Sequence, residues 1–145
     1  MEENDKVRAV IDTNVLVSAL LSSSATSNPA LVIRAVLNGA ITPLFNNQII
    51  KEYRDVLSRK KFKFKKELIE DFLRVFTTYG LNSTRADASD ESFPDSDDIV
   101  FYEVAISIDH AYLVTGNIKH FPQKAFVVTP AQMVDILRNK GLLEY

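Results

Sequence analysis

Cysteine is absent from the 145-residue sequence. Its absence excludes thiolate zinc sites, disulfide scaffolds and cysteine nucleophiles, and it is compatible with a cytoplasmic location. No apolar run approaches the roughly 18 residues that a membrane-spanning helix needs. The first six residues, MEENDK, are acidic and polar. We therefore expect neither a secreted nor a membrane-anchored protein.

An excess of positive charge is also missing. The chain has 17 basic and 19 acidic residues and a formal net charge of -2. A protein that holds nucleic acid mainly through its overall charge is therefore excluded, and any contact with nucleic acid has to be local. The length, with 46% hydrophobic and 25% charged residues, predicts one compact domain over residues 1–145.

Short apolar runs alternate with segments of helical periodicity. The runs that predict strands are VRAVI at 7–11, ITPLF at 41–45, the short LNST at 81–84, AYLVT at 111–115 and AFVVT at 125–129. The predicted helices cover 14–21, the stretch from Pro29 to about Asn38, the stretch from Asn47 to the basic segment 59–66, 67–79, the segment that carries Phe101 to Ile108, and 130–139. This alternation predicts a three-layer α/β/α fold with a central, mostly parallel sheet of about five strands.

Two boundaries carry more specific expectations. Gly80 follows a predicted helix, where a left-handed residue is favoured. The stretch ADASDESFPDSDD at 86–98 is acidic and rich in turn-forming residues. We expect it to be a loop that leads directly into the next helix.

Acidic side chains occur where such a fold places its ligands, beyond the carboxyl ends of the strands. Asp12 follows the first strand, Asp97 and Asp98 precede a helix, and Asn117 follows AYLVTG. Glu52 lies at the border of the apolar stripe of its helix, so its carboxylate can point into a cleft. Converging carboxylates repel one another unless a cation neutralises them, and oxygen ligands suit Mg²⁺ or Mn²⁺. The cluster therefore predicts a divalent metal.

Each of these residues also has a simpler structural interpretation. Asp12 is placed to cap a helix, Glu52 to be a solvated helix charge, and the acids at 95–98 to favour the start of the next helix. His120, beside Phe121, is either a substrate contact or a packed or capping residue, and His110 is interpreted as structural.

Four segments of the chain resemble the successive signatures of the PIN-domain family, in particular its bacterial and archaeal toxin-like branch. They are VIDTNVLVSAL, IIKEYRDVLSR, DSDDIVFYEVA and AYLVTGNIKHFP, and together they span residues 7–129. Each is weak alone, but their order makes the resemblance fairly specific. It implies a Mg²⁺- or Mn²⁺-dependent endoribonuclease that hydrolyses RNA phosphodiester bonds.

The family pattern implies that Asp12, Glu52 and Asp98 are the catalytic acids and metal ligands. Asn117 stands at the fourth ligand position, where the family usually carries aspartate. Asparagine coordinates through its carbonyl oxygen without adding charge, which puts a second tightly held metal in doubt.

Supporting roles follow from the same resemblance. Thr13 and Asn14 resemble the polar pair beside the first acid, or simply begin the first helix. Asp97 and Glu103 are the candidates to compensate for the missing fourth charge, although five residues on a helix turn Glu103 well away from Asp98.

The basic segment RKKFKFKK, Arg59 to Lys66, interleaves six basic residues with two phenylalanines. This composition suits RNA phosphates and bases, with Lys60, Lys61 and Lys63 as contacts, but it also suits a solvated bend or a partner-docking surface. Lys119 and His120 are further candidate contacts. The resemblance implies a small antitoxin protein as a partner and a homodimer.

Three other functions are open to this sequence. A haloacid-dehalogenase-like phosphotransfer domain wants a second aspartate where Asn14 stands, and a receiver domain wants its acidic pair near the first strand. Both are therefore disfavoured. A non-catalytic PIN-like RNA-binding or scaffolding module is the stronger alternative, because Asn117 replaces an acid.

Overall fold

Each of the five apolar runs contains a strand in the computed structural model, which describes residues 6–83, 93 and 96–143. The strands are β1 (Val7–Ile11), β2 (Ile41–Phe45), β3 (Leu81–Asn82), β4 (Tyr112–Val114) and β5 (Val127–Val128). They form one sheet in the order β3-β2-β1-β4-β5, and every neighbouring pair is parallel. The predicted parallel sheet of five strands is thus confirmed.

Six α-helices connect these strands in the described part of the chain: α1 (Thr13–Leu21), α2 (Asn28–Leu37), α3 (Asn47–Leu57), α4 (Lys66–Tyr79), α5 (Ile99–Ile106) and α6 (Pro130–Asn139). Helix α2 contacts α1 and α6, whereas α3 contacts α4 and α5. The arrangement is the three-layer α/β/α fold that the alternation predicts. None of the helices in the described residues is long and apolar enough to cross a membrane.

The core lies where the helices cover the sheet. Central strand β1 is apolar and buried except at Arg8, as expected for a strand with neighbours on both sides and helices on both faces. Between α3, α4 and α5, the ring of Tyr53 makes an edge contact with Phe76 at 5.4 Å and a tilted contact with Phe101 at 6.2 Å. This aromatic cluster holds three helices against one face of the sheet.

Several predicted boundaries change in the structure. The last strand is shorter than the run AFVVT, because Ala125 and Phe126 lie in a turn closed by the Val127 N–H bond to the Lys124 carbonyl. Helix α5 ends at Ile106, so Ile108 lies beyond it. The basic segment contains a short 3-10 turn at Lys60–Phe62. Most of the predicted acidic loop lies outside the described residues, but residues 96–98 form a 3-10 turn that leads into α5.

The expectation for Gly80 was wrong. Its backbone is extended, with φ -86 and ψ -177. Glycine is required there for space, because a Cβ atom would lie 2.4 Å from the carbonyl oxygens of both Phe76 and Pro43. The close approach lets the end of α4 turn directly into β3 beside β2.

We predict that Phe76→Ala lowers the free energy of unfolding by about 3 to 5 kcal/mol, the range for deleting a fully buried phenylalanine. Phe76 is 0% exposed and contacts Tyr53. Tyr79→Ala in the same helix is the matched control, because Tyr79 is 74% exposed and should cost less than about 0.5 kcal/mol. Urea denaturation followed by circular dichroism measures both. Equal losses would contradict this packing.

Candidate functional site

Asp12 marks the carboxyl end of the central strand. Its backbone N–H donates to the Val114 carbonyl at 2.9 Å, which extends the pairing of β1 with β4 to the edge of the sheet. The residue occupies the N-cap position of α1, yet its side chain makes no N-cap hydrogen bond. The simple capping interpretation of Asp12 therefore does not account for its carboxylate.

The Asp12 carboxylate is held by neighbouring polar side chains. Thr115 Oγ1 donates to Asp12 Oδ2 at 2.8 Å, and Asn14 Nδ2 donates to the same oxygen at 3.2 Å. The Gly116 N–H donates in turn to Asn14 Oδ1 at 3.0 Å. These bonds join the loop after β1 to the loop after β4 and fix the orientation of a carboxylate that is only 6% exposed.

Burial dominates the electrostatics of Asp12. It raises the pKa of the Asp12 carboxyl above the ordinary value of 3.8, and the nearby negative charge of Glu52 adds to this. The Thr115 hydroxyl, the Thr13 N–H and the charge that His120 carries when protonated act in the opposite direction. Ionised Asp12 thus lacks full compensation from the protein, which is the electrostatic setting in which a bound cation is favoured.

Helix α3 brings Glu52 towards Asp12. Tyr53, the next residue, is fully buried, and its hydroxyl donates to the Ile11 carbonyl. The hydrogen bond ties α3 to the end of β1, and burial together with the Asp12 charge raises the pKa of the Tyr53 hydroxyl. Glu52 is partly buried and close enough to Asp12 to affect its ionisation. It is therefore not simply a solvated helix charge.

Asp98 and His120 form a second pair. His120 Nδ1 lies 3.5 Å from Asp98 Oδ2, and the Asp98 side chain is 14% exposed. Asp98 occupies the N-cap position of α5 without a side-chain cap hydrogen bond, while neighbouring Asp97 is exposed. His120 is not packed in the core, since its side chain is 47% exposed.

Asn117 lies in the loop that links Thr115 to His120. Its backbone N–H donates to Thr115 Oγ1 at 3.0 Å, and the residue is exposed. Thr115 therefore connects Asp12 and Asn117 through a single hydroxyl. Thr13, on the other side of Asp12, is buried, and its Oγ1 has no hydrogen-bond partner among the described residues.

The structure brings some of the predicted site residues close together, but not all of them. Asp12 and Glu52 interact electrostatically, and His120 links Asp98 to the same region. Across residues 6–83, 93 and 96–143, however, no three acidic or histidine side chains come close enough to form a ready metal-binding group. His110 lies at the opposite, amino end of β4.

Three buried polar residues were missed or misjudged by sequence reasoning. Thr115 is 0% exposed and Glu103 is 2% exposed, whereas Glu103 was expected only to point away from Asp98. The buried hydroxyl of Tyr53, which donates to the Ile11 carbonyl, was not predicted. A usable signal existed for Thr115 alone, because it is the first polar residue after a buried strand next to β1.

The basic segment has a compact conformation of its own. The rings of Phe62 and Phe64 stack at 5.7 Å with an interplanar angle of 17°, and Lys61 Nζ lies 5.1 Å from the centre of the Phe62 ring. Both rings are partly buried, while Lys60, Lys61 and Lys63 are exposed. The lysines are accessible to a polyanion, but Phe62 is already covered by contacts within the segment.

A family model described as a PIN domain matches residues 8–119, more than half of the chain. The matched range includes Asp12, Glu52, Asp98 and Asn117. No curated protein and no solved structure matches the chain.

We predict that Asp12→Asn stabilises the metal-free protein and that the gain depends on pH. A carboxyl whose pKa is raised by folding destabilises the fold as pH rises above the unfolded value of 3.8. Asparagine does not ionise, so the variant does not lose stability in this way. The difference in melting temperature between Asp12→Asn and the wild-type protein should therefore grow from about pH 4 to pH 7. Melting curves in chelator measure it.

The exposed Asp109 provides the control. Asp109→Asn should shift the melting temperature little, and equally at both pH values. If the two variants behaved alike across this range, Asp12 would not be the buried, destabilising charge described above.

Proposed function

Because the chain belongs to the PIN-domain family, a family of nucleases, we propose that it is a divalent-metal-dependent endoribonuclease that hydrolyses RNA phosphodiester bonds. The observation that supports this beyond family membership is the Asp12 carboxylate. It is buried, and hydrogen bonds from Thr115 and Asn14 orient it. The negative charge of Glu52 disfavours its ionised form. A group in that environment is a candidate for metal binding or catalysis.

The donor chemistry fits Mg²⁺ or Mn²⁺. Asp12, Glu52 and Asp98 offer carboxylate oxygens, and Asn117 offers an amide oxygen, the ligands that these ions prefer. In the proposal the three acids hold the ion and Asn117 is a neutral fourth ligand. When bound, such an ion supplies a water molecule of lowered pKa and neutralises charge on a phosphoryl oxygen.

The remaining residues position this cluster and its substrate. Thr115 and Asn14 keep Asp12 Oδ2 in one orientation, and Thr115 also holds the backbone of Asn117. Thr13 and Asp97 are supporting residues beside the first and third acids. Lys119 and His120 are both exposed in the adjoining loop and would contact a phosphate of the RNA.

The basic segment, Arg59 to Lys66, would bind RNA or a protein partner away from the three acids. It follows α3, on the order of 10 Å along the helix axis from Glu52. Its exposed lysines, Lys60, Lys61 and Lys63, would contact the RNA backbone or a protein partner, whereas the stacked phenylalanines stabilise the bend. We further propose that the protein is a cytoplasmic toxin, that it forms a homodimer, and that a small antitoxin protein inhibits it.

A second candidate is a non-catalytic RNA-binding or scaffolding module. Two observations favour it: an amide replaces a carboxylate at position 117, and no three acidic or histidine side chains of the described residues form a ready metal-binding group. Under this alternative the chain binds RNA with the same surface but leaves it intact in Mg²⁺ and Mn²⁺.

We predict that Asp12→Asn, Glu52→Gln and Asp98→Asn each reduce Mn²⁺-dependent RNA cleavage by more than about a hundredfold, as expected when a group that stabilises transition-state charge is lost. Each variant should still fold, because each change removes a charge and keeps the side-chain size. Gel assays on labelled RNA, with circular dichroism as a folding check, measure this.

Asp109→Asn is again the matched control and should cleave normally. Full cleavage by a folded Asp12→Asn protein would overturn the assignment of Asp12. RNA binding by the wild-type protein without any cleavage, in Mg²⁺ and in Mn²⁺, would instead favour the non-catalytic module.

We also predict that Asn117→Asp strengthens Mn²⁺ binding and lowers the melting temperature of the metal-free protein. A fourth negative charge beside Asp12, Glu52 and Asp98 attracts the cation, but it repels the other carboxylates when the cation is absent. Calorimetric titration with Mn²⁺ and melting curves in chelator test the two effects. Equal affinities and equal melting temperatures would place Asn117 outside the metal cluster.

A further inference from the structure

A polar cavity of about 440 Å³ opens at the amino ends of β1 and β4, which form the edge of the sheet opposite Asp12. Arg8, near the start of β1, and Asp12, beyond its end, lie about 13 Å apart along the strand direction at the usual rise per residue. The volume is in the range of cavities that bind small ligands. A small ligand in this cavity would therefore be held away from the Asp12 carboxylate.

Arg8 lines this cavity and is the one exposed residue of the central strand. Its neighbours Val7 and Ala9 are 3% and 0% exposed, as expected for a strand that is covered on both faces. Within residues 6–83, 93 and 96–143, the Arg8 guanidinium has no ion-pair or hydrogen-bond partner. No contact of the fold therefore explains this charge, and its N–H donors remain available to a ligand.

Three further hydrogen-bonding side chains line the same cavity: Lys140, which follows α6, His110 in the turn before β4, and Tyr112 in β4. Lys140 and His110 are exposed and, like Arg8, have no side-chain partner in the part of the chain that the structure describes. His110 has a left-handed backbone with φ 61. Residues other than glycine rarely adopt this conformation, and it persists where the surrounding structure fixes it. The turn therefore holds His110 at the cavity.

The cavity carries an excess of positive charge, although the formal net charge of the chain is -2. Lys6, Arg8 and Lys140 bring three positive charges, and Asp109 brings one negative charge, which leaves +2 among the described residues that line it. Lys6 already interacts with another residue, so it adds to the potential without being needed as a ligand. Charges of one sign around a cleft concentrate the potential inside it. The cavity therefore attracts an anion.

We propose that this cavity is a binding site for a phosphate group, with Arg8 and Lys140 as its principal ligands. A phosphate monoester carries a charge of about -1.5 to -2 near pH 7 and three acceptor oxygens. It can therefore contact the guanidinium, the ammonium, the Tyr112 hydroxyl and the His110 imidazole together. A carboxylate has one charge and two oxygens, so it leaves some of these donors unused. The proposal does not depend on the ribonuclease function.

The test follows the backbone amide signals of isotope-labelled protein by NMR, in chelator so that no divalent ion is present. Inorganic phosphate, adenosine monophosphate and acetate are titrated separately at constant ionic strength. We expect saturable shifts of the amides of Arg8, His110 and Tyr112 with both phosphates, and an affinity for acetate that is weaker by about tenfold or more. Equal affinities for acetate and phosphate would overturn the assignment to phosphate.

Charge-removing variants identify the ligands. Arg8→Gln and Lys140→Gln should each weaken phosphate binding by about tenfold, because each removes a charge-assisted hydrogen bond. Asp109→Asn should strengthen it a few-fold, because it removes an opposing charge. Arg74→Gln is the matched control for Arg8→Gln and should leave the affinity unchanged, since Arg74 is exposed on α4, outside the cavity. Lys140 is exposed and follows the last helix, so its variant tests the proposal even if Arg8→Gln disturbs β1.

A short single-stranded RNA, titrated in the same chelator, distinguishes two sources of the phosphate. If the RNA shifted the cavity amides at lower concentration than the two small phosphates, the site would bind the backbone of a nucleic acid. The reverse order would assign it to a free phosphate or nucleotide. The proposal would be overturned if none of the three shifted these amides saturably, or if Arg8→Gln and Lys140→Gln bound phosphate like the wild-type protein. Because chelator prevents metal-dependent cleavage, none of these outcomes depends on whether the protein cuts RNA.

Discussion

The parallel pairing of β1 with β4 is the constraint on which the rest of the site depends. It aligns Ile11 with Val114, so the next residue of each strand, Asp12 and Thr115, meets at the edge of the sheet. The Thr115 hydroxyl then donates to the Asp12 carboxylate and accepts from the Asn117 N–H. One strand register thus brings together residues more than a hundred positions apart in the chain.

The ionised carboxylate of Asp12 is electrostatically unfavourable in this arrangement. Asp12 is buried almost completely, and its neighbour Glu52 carries charge of the same sign. The protein offsets only part of the cost with donors from Thr115, Asn14 and Thr13. A buried charge that is only partly compensated destabilises a fold and also attracts cations, so the metal binding proposed at this position would be opposed to the stability of the metal-free protein.

The candidate site residues lie on different secondary-structure elements. The Tyr53 hydroxyl bonds the end of β1 and so positions α3, which carries Glu52. The 3-10 turn before α5 carries Asp98, and the turn after β4 carries His120. The loop that carries Asn117 and His120 follows β4, so its position depends on the β1–β4 register.

Periodicity alone determined most of the fold. Runs such as VRAVI and ITPLF became strands at the predicted residues, because a buried parallel strand needs a continuous apolar run and little else. Asp12 was predicted at the carboxyl edge of the sheet for the same reason, since a polar residue that directly follows such a run falls there, and its N–H bond to the Val114 carbonyl confirms that position.

Tertiary structure alone decided the contacts between distant residues. The extended backbone of Gly80 depends on how closely Pro43 approaches it, the burial of Glu103 depends on the packing of α5, and the support of Asp12 by Thr115 depends on strand order. Local sequence encodes propensity and periodicity, which act over a few residues. Space, burial and electrostatic coupling arise only when segments far apart in the chain meet, so those properties of the site came from the fold.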